Sequence, residues 1–409
     1  MAKPTDTIEI GFDLSGVSGA PYFTLDEPIK GKLDNTLYTL GGTVFYDVTQ
    51  YVKSFSTNRG KNRQLDRFNA GSLNVTLVNL NRYFDPLYTA SPFYGQIVPR
   101  REVRVKSNGQ FVFFGLIDDW NLDYDISGNS TASFTAYDGF SLLSGQTLTA
   151  GTATVQLSGA RINAVLNDPG VNWSTTARQI DAGGQTLQAD VIAVGTEALG
   201  YINTIEASEP GLFFFAKNGD AVWKDRSAAV ASSSAVVLSD DGTGIPYHDI
   251  QVNYGSELLY NQAEVSRNAG GTAIADDLTS QATYGVRTYQ QSGLLMNSDA
   301  ALGQLAVYIV SQYAEPEYRF SGVQLSLNKL STADQNTVLG LDIGSVCRIK
   351  FTPNKVGSAI DKYAEVIGIS HTGTPDNRMV TFNFQTIDYA YLVLDDSAVG
   401  LLDLNSLGW

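Results

Sequence analysis

The run Val103-Arg104-Val105-Lys106-Ser107-Asn108-Gly109-Gln110-Phe111-Val112-Phe113-Phe114-Gly115-Leu116-Ile117 alternates apolar with charged residues, breaks at Asn-Gly and resumes as an aromatic strand. Period-two alternation puts every second side chain on one face of a sheet, so the first limb predicts a half-buried strand. Asn-Gly accepts the positive φ of a two-residue turn, which makes the whole run an antiparallel hairpin. Upstream, Leu73, Val75 and Leu77 alternate with Asn74 and Thr76; downstream, Ala132, Phe134 and Ala136 alternate with Ser133 and Thr135. Residues 1–145 therefore predict a first β-barrel or sandwich domain.

After Gly145 the composition changes. Thr147 to Thr154 has the Thr/Ala/Gly content of a linker. Two helical patterns follow, Ala160 to Leu166 and Glu197 to Ser208, the second with Thr196 as its expected cap. Leu212-Phe213-Phe214-Phe215-Ala216, Asn218-Gly219 and Val222-Trp223-Lys224 then predict another hairpin. Residues 146–250 are expected to form a mixed α/β insertion. From 251 to 394 strands return as a second β domain with one helix, capped by Asn297 or Ser298, carrying Leu302, Leu305, Ile309 and Tyr313, and ended before Pro316. A C-terminal tail, 395–409, with Leu401, Leu402, Leu404 and Leu407, is expected to dock on its own domain or on a neighbour.

The two β regions look alike. Val103-Arg-Val-Lys106 matches Cys347-Arg-Ile-Lys350, and Phe114-Gly-Leu116 matches Ile367-Gly-Ile369. Phe134-Thr-Ala-Tyr-Asp138-Gly-Phe-Ser-Leu142-Leu143 lines up without gaps on Phe384-Gln-Thr-Ile-Asp388-Tyr-Ala-Tyr-Leu392-Val393. The predicted fold class is mainly β, two antiparallel barrels related by a divergent internal repeat, with a smaller α+β insertion.

The chemical inventory is narrow: of 409 residues, two are histidine and one is cysteine. A disulfide within the chain is impossible, and a Cys/His zinc site is disfavoured. His248 and His371 are expected in turns, solvated or satisfied; Cys347 is expected as a buried thiol. The adjacent acids Asp118-Asp119, Asp240-Asp241, Asp276-Asp277 and Asp395-Asp396 point to opposite faces or sit in turns, unlike a glycosidase pair. Asn79 to Pro86 has oxygen ligands at calcium-like spacing but neither the glycine nor the terminal glutamate of an EF-hand loop, and Asx turns explain it better. No nucleotide-binding fingerprint is present. The sequence thus assigns no catalytic residue, no metal ligand and no cofactor. With 27 basic against 42 acidic residues the net charge is −15, the wrong sign for gripping phosphates. No apolar run approaches the ~20 residues of a membrane helix, and the N-terminus does not read as a signal peptide, so no membrane anchor is expected. The one basic cluster comprises Arg59, Lys61, Arg63 and Arg67, followed by Arg100, Arg101 and Arg104.

The ordered series Arg59-Gly-Lys-Asn-Arg63-Gln-Leu65-Asp66-Arg67-Phe68, Asn79-Leu-Asn-Arg82-Tyr-Phe-Asp85-Pro86, Ser91-Pro-Phe-Tyr-Gly95 and Pro99-Arg100-Arg101 resembles a segment of minor tail proteins of long-tailed (siphovirus-like) bacteriophages, notably actinobacterial ones. Ser208-Glu-Pro-Gly211 with Phe213 to Phe215, Asn218-Gly219 and Asp225-Arg226 resembles a block of tail-hub insertion domains. Tyr284-Gly285 to Arg287, the helix to Tyr313 and Pro316 add a third match. The resemblance is to the central baseplate or tail-tip hub. It implies a non-enzymatic homotrimer whose two barrels per chain match a six-fold tail tube. Such a hub joins the distal tail protein and the tape-measure protein to a three-fold spike or fibre. It also continues the channel through which phage DNA is ejected, at the distal end of the virion tail. The acidic chain suits that conduit, because a negative lumen repels phosphate. Cell-wall hydrolysis, if any, is expected from another protein, since no hydrolase follows the second domain. Arg59, Arg63, Asp66, Arg67, Arg82, Asp85, Arg100 and Arg101 are the candidate residues for subunit contacts or for ordering loops. Leu65, Phe68 and Phe84 interleave these charges and favour the second role. Two alternatives stand beside the hub: a hexameric distal tail protein, and a receptor- or carbohydrate-binding protein using Trp120, Trp173 or Trp223. Core burial is the more ordinary fate of those tryptophans.

Overall fold

The computed structural model describes residues 2–12, 28, 43–226 and 236–387. One thirteen-stranded sheet organises them. Its strands, in chain order, are β1 (Asp6–Phe12), β2 (Val44–Asp47), β3 (Val52–Gly60), β4 (Asn69–Val78), β5 (Glu102–Ser107), β6 (Gln110–Asp123), β7 (Thr131–Tyr137), β8 (Val236–Ser239), β9 (Asp249–Asn253), β10 (Arg319–Ser326), β11 (Val346–Phe351), β12 (Ile360–Gly373) and β13 (Arg378–Thr386). The β5–β6 hairpin forms as the sequence predicts, with Asn108 and Gly109 at φ 49° and 79° closing the Ser107↔Gln110 pair. The predicted alternation is literal in β4, where Leu73, Val75 and Leu77 are buried between exposed or half-buried polar neighbours.

The internal repeat is present as topology. In the first half the strands run β3-β4-β7-β6-β5-β1, and in the second β9-β10-β13-β12-β11-β8. Each step has its counterpart, and the long strands β6 and β12 carry bulges at matching places, Ile117/Asp119 and Val366/Gly368. The hydrogen-bond register corrects the alignment read from sequence. Val103 faces Gly115 and Cys347 faces Ala364, so Gly115 corresponds to Ala364 rather than to Gly368. Phe134 and Phe382 take the same place opposite Val75 and Val323, a shift of two from the Phe134/Phe384 match. The reason is physical: shifts by even numbers keep every side chain on its face, so period-two patterns do not resolve them. The Asp388–Val393 part of that match lies outside the described residues, as do Asp395-Asp396 and the 395–409 tail.

The expected pair of closed barrels is not formed by the chain alone: among the described residues the sheet stays open. The cause is β12, whose first half pairs with β11 while its second half leaves that neighbour and pairs with β3 of the other repeat. The two repeats thereby fuse into one continuous sheet.

Between β7 and β8 lies the mixed insertion. Helices Ser158–Asn167 and Ala198–Ser208 match the predicted pair, but the second begins on Glu197 with no side-chain cap from Thr196. The Leu212–Phe215/Ala221–Lys224 hairpin forms around Gly219, and Trp223 at its centre is fully buried. The expected linker contains a strand, Gly151–Ala153, paired with Asp190–Ile192. Between β9 and β10 sits a module the sequence did not set apart. Gln262–Arg267 pairs antiparallel with Thr272–Asp276 and parallel with Thr288–Leu294. Helix Asp299–Tyr313, capped by Ser298 Oγ accepting from the Ala301 amide, covers this sheet. Its core (Ala263, Val265, Leu302, Leu305, Ile309) is separate from the main one, which runs unbroken through both repeats and the insertion.

Candidate functional site

The place where this fold does something unusual is the seam between the repeats. Six residue pairs join β3 to β12 antiparallel, from Phe55↔Gly373 to Gly60↔Gly368. The approach is close. Gly60 has φ +95°, and a Cβ there would lie 2.2 Å from the Ile367 carbonyl oxygen; a Cβ on Gly368 would lie 2.4 Å from that of Lys61. Across the exposed face Ser370 Oγ donates to Asn58 Oδ1 at 3.1 Å.

Buried cations pin the seam to its surroundings. Arg59, 3% exposed, donates through Nη2 to the Phe215 carbonyl and to Asp342 Oδ1, both at 2.8 Å. Asp342 also accepts the Lys217 amide at 3.0 Å, and Lys217 Nζ donates to the carbonyls of Leu339 and Gly340 at the end of helix Thr332–Gly340. One arginine of the first repeat thus holds the insertion and the second repeat together. Arg378, fully buried at the start of β13, does the reverse: its Nε donates to Asp6 Oδ1 on β1 at 3.1 Å, its Nη2 to Ser107 Oγ on β5, and its guanidinium lies 4.7 Å from the Phe55 ring. His371 lies in the seam opposite Thr57, buried in a strand rather than in the expected turn. Burial and the nearby charges of Arg378, Arg59 and Lys217 hold its imidazole well below the usual value, so it is neutral there. Lys61 is buried beside the Phe68 ring; burial lowers its ammonium pKa against the opposing pull of Glu206, Glu365 and Asp66. Burial pushes Asp138 up to about 7, with Arg59 pulling the other way, and desolvation takes Glu206 to about 7 as well. Nothing here pairs a nucleophile with an oriented base. The cluster's chemistry is that of desolvated charges locking three parts of a chain into one body.

Of the other candidate residues, Arg63 reaches across to the second repeat, and the rest stay with their own loops. Arg63 is exposed and bridges Asp66 at 3.3 Å and Glu257. Arg67 is exposed on the same loop. Arg82 bonds Asp85 at 2.6 Å; Asp85 is buried and also accepts from the Tyr124 hydroxyl and the Leu87 amide. The Tyr124 hydrogen bond is the largest influence holding the Asp85 carboxyl below its usual range. Asp66 and Asp85 therefore belong to separate local pairs. Arg100 takes φ 67° and its amide donates to the Ile117 carbonyl; Arg101 Nη2 donates to Gln96. Asn79 Oδ1 accepts the Phe84 amide, and Asp85 Oδ1 that of Leu87, so these side chains close the turns of their loop. Asp342, Lys217 and Arg378 escaped notice in the sequence, because a partner more than a hundred residues away leaves no local pattern. Cys347 is buried with its thiol pushed up to about 12, while Trp120 and Trp173 are half-buried against Phe84 and Phe215.

No protein-family model and no curated protein sequence matches this chain. Solved structures do. The crystal structure of a tail protein from Neisseria meningitidis MC58 aligns over 94% of this chain and 97% of its own, with TM-score 0.58 at 11% identity. The 43 kDa tail protein of prophage MuSo2 from Shewanella oneidensis aligns over the same shares, with TM-score 0.56 at 12% identity. At such identities the likeness is one of fold, and it extends over nearly the whole length of both chains.

Proposed function

We propose that this chain is a structural, non-catalytic tail component of a phage-type particle, and within the tail the trimeric hub at its tip. The observation that carries this reading is the doubled strand order within a single chain, on a fold shared end to end with two tail proteins. A chain holding two copies of one unit offers six such units when three chains assemble, so a three-fold ring presents quasi-six-fold symmetry to a six-fold tube. The hub then sits between the tube-side proteins (distal tail and tape-measure proteins) and a spike or fibre, and continues the DNA channel. The sheet, open among the described residues, supports assembly, because an unpaired strand edge is a binding surface. The net charge of −15 fits a conduit that repels phosphate.

The test is native mass spectrometry of the purified chain and of assembled tails, with axial class averages from electron microscopy. Three copies with six similar lobes are the expected result. Six copies would make it a distal tail protein, and a monomer retained on a glycan array would make it a receptor-binding protein.

A further inference from the structure

The seam inside the chain is also a template for the contact between chains. Because the repeats share one strand order, each seam strand has a counterpart in the other repeat. The register equates β3 with β9, placing Ile250 where the seam has Phe55; β10 then bulges opposite Gln251 and Val252, and counting along β9 and the residues that follow it places Asn253 where the seam has Asn58 and Gly255 where it has Gly60. The aligned bulges equate the second half of β12 with the second half of β6, placing Asn121 where the seam has Ser370 and Leu122 where it has His371. Within the chain β3 pairs with β12. Their counterparts, β9 and Asp119–Asp123 of β6, each have a single neighbouring strand among the described residues, β10 and β7 respectively.

We propose that these two open edges are partners: β9 of one copy adds antiparallel to the second half of β6 in the next copy, in the register of the internal seam. Three such contacts close the ring, so this inference rests on the trimeric reading above and names the surface that makes it.

Three observations support that register. First, the faces match. Copying the seam sets Leu122 opposite Val252 and Trp120 opposite Tyr254, and Asn121 opposite Asn253. Leu122, Val252 and Trp120 are half-buried, whereas both asparagines are exposed, so apolar meets apolar and amide meets amide. A slip by one residue would set Leu122 against the polar face. The Asn121–Asn253 pair takes the place of the Ser370–Asn58 hydrogen bond. Second, the edges carry apolar surface that the single chain leaves in water: Tyr254 is 63% exposed and Tyr124 51%. Third, Gly255 has no reason to be glycine within its own chain. Its φ lies outside the left-handed region, and a Cβ there would meet nothing within 4 Å. Its counterpart Gly60 is crowded by the incoming strand at 2.2 Å. A neighbour docked at Gly255 supplies the missing constraint. Asp119 stands where the seam has Gly368, so the reciprocal contact with the Lys61 carbonyl is not copied; the ladder runs from Trp120 to Tyr124, and Gly255 lies just beyond its end beside the Asp118–Asp119 backbone. The contact is head-to-tail, the kind that forms a ring when its rotation closes.

The experiment is cross-linking of the double variant Asn121→Cys/Asn253→Cys. Both positions are exposed and the native Cys347 is buried, so the two new thiols are the reactive ones. Directly opposed residues of an antiparallel pair lie within disulfide reach. Under mild oxidation the double variant should run mostly as a covalent trimer on non-reducing gels, and each single variant as a monomer. The two-residue-shifted pair Asn121→Cys/Gln251→Cys should cross-link several-fold less. Asn58→Cys/Ser370→Cys, which closes within one chain, confirms that oxidation was complete. Native trimers without the covalent bond would overturn the edge pairing and leave the hub reading intact. Covalent hexamers would support the pairing and overturn the trimer. Absence of trimers from both purified chain and assembled tails would overturn both.

Discussion

The two repeats share six strands in one order and differ at both ends. In the first, β1 runs antiparallel to β5; in the second, β8 runs parallel to β11, because it arrives from the insertion. In the first, β3 reaches β4 through the short basic loop 61–68; in the second, residues 254–318 intervene with a sheet, a long helix and a core of their own. The shared part is the pairing scheme, held by backbone hydrogen bonds that tolerate almost any side chain. The differences fall in connections, where insertions cost a fold little. The first repeat's inner edge is closed by the second, while among the described residues the corresponding edge of the second is open. That asymmetry turns one duplicated unit into both a monomer core and a docking surface.

The comparison can be broken most severely at Arg378, a residue of the second repeat that serves the first. Arg378→Met removes the fully buried ion-pair partner of Asp6, leaving that carboxylate only Ser107 Oγ and the more distant Lys3, and should cost about 3–5 kcal/mol in denaturant unfolding. A loss under about 1 kcal/mol would mean that the repeats are held by the strands alone. The equivalent glycines give a sharper contrast. Gly60→Ala must accommodate a positive φ and a carbonyl contact, with an expected cost of about 3 kcal/mol. Gly255→Ala should leave the monomer's unfolding midpoint unchanged and weaken only assembly; equal destabilisation by both would show that Gly255 is constrained within its own chain.

The smallest effect concerns Asp138, whose place in the second repeat is taken by Thr386. Its folded pKa of about 7 lies above the ordinary carboxylate value of 3.8. The folded protein therefore holds this proton more tightly than the unfolded chain. The stability this contributes is full below pH 3.8 and is lost as pH rises towards 7. Glu206, also near 7, and Glu365, raised by burial, add the same sign. Asp138→Asn should flatten the fall in thermal midpoint between pH 4 and 7 without abolishing it, and an unchanged slope would show that Asp138 does not titrate in that range.

By itself the sequence determined what local chemistry dictates. Alternation marked Leu73–Leu77, Val103–Val105 and Ala132–Ala136 as strands, Asn108-Gly109 marked a hairpin, and Asn297-Ser298 marked a helix start, since each signal acts within a few residues. It also exposed the repeat, because duplicated strands keep their pattern of faces. Only the tertiary structure decided the register of that repeat, since even-numbered shifts look alike along the chain. The same holds for the fusion of two expected barrels into one open sheet, which depends on β12 changing partners halfway along its length. The ion pairs that lock the halves, Arg59 with Asp342 and Arg378 with Asp6, span most of the sequence. Charges in water carry no sign of their partner, and burial in a shared core is what singles these out.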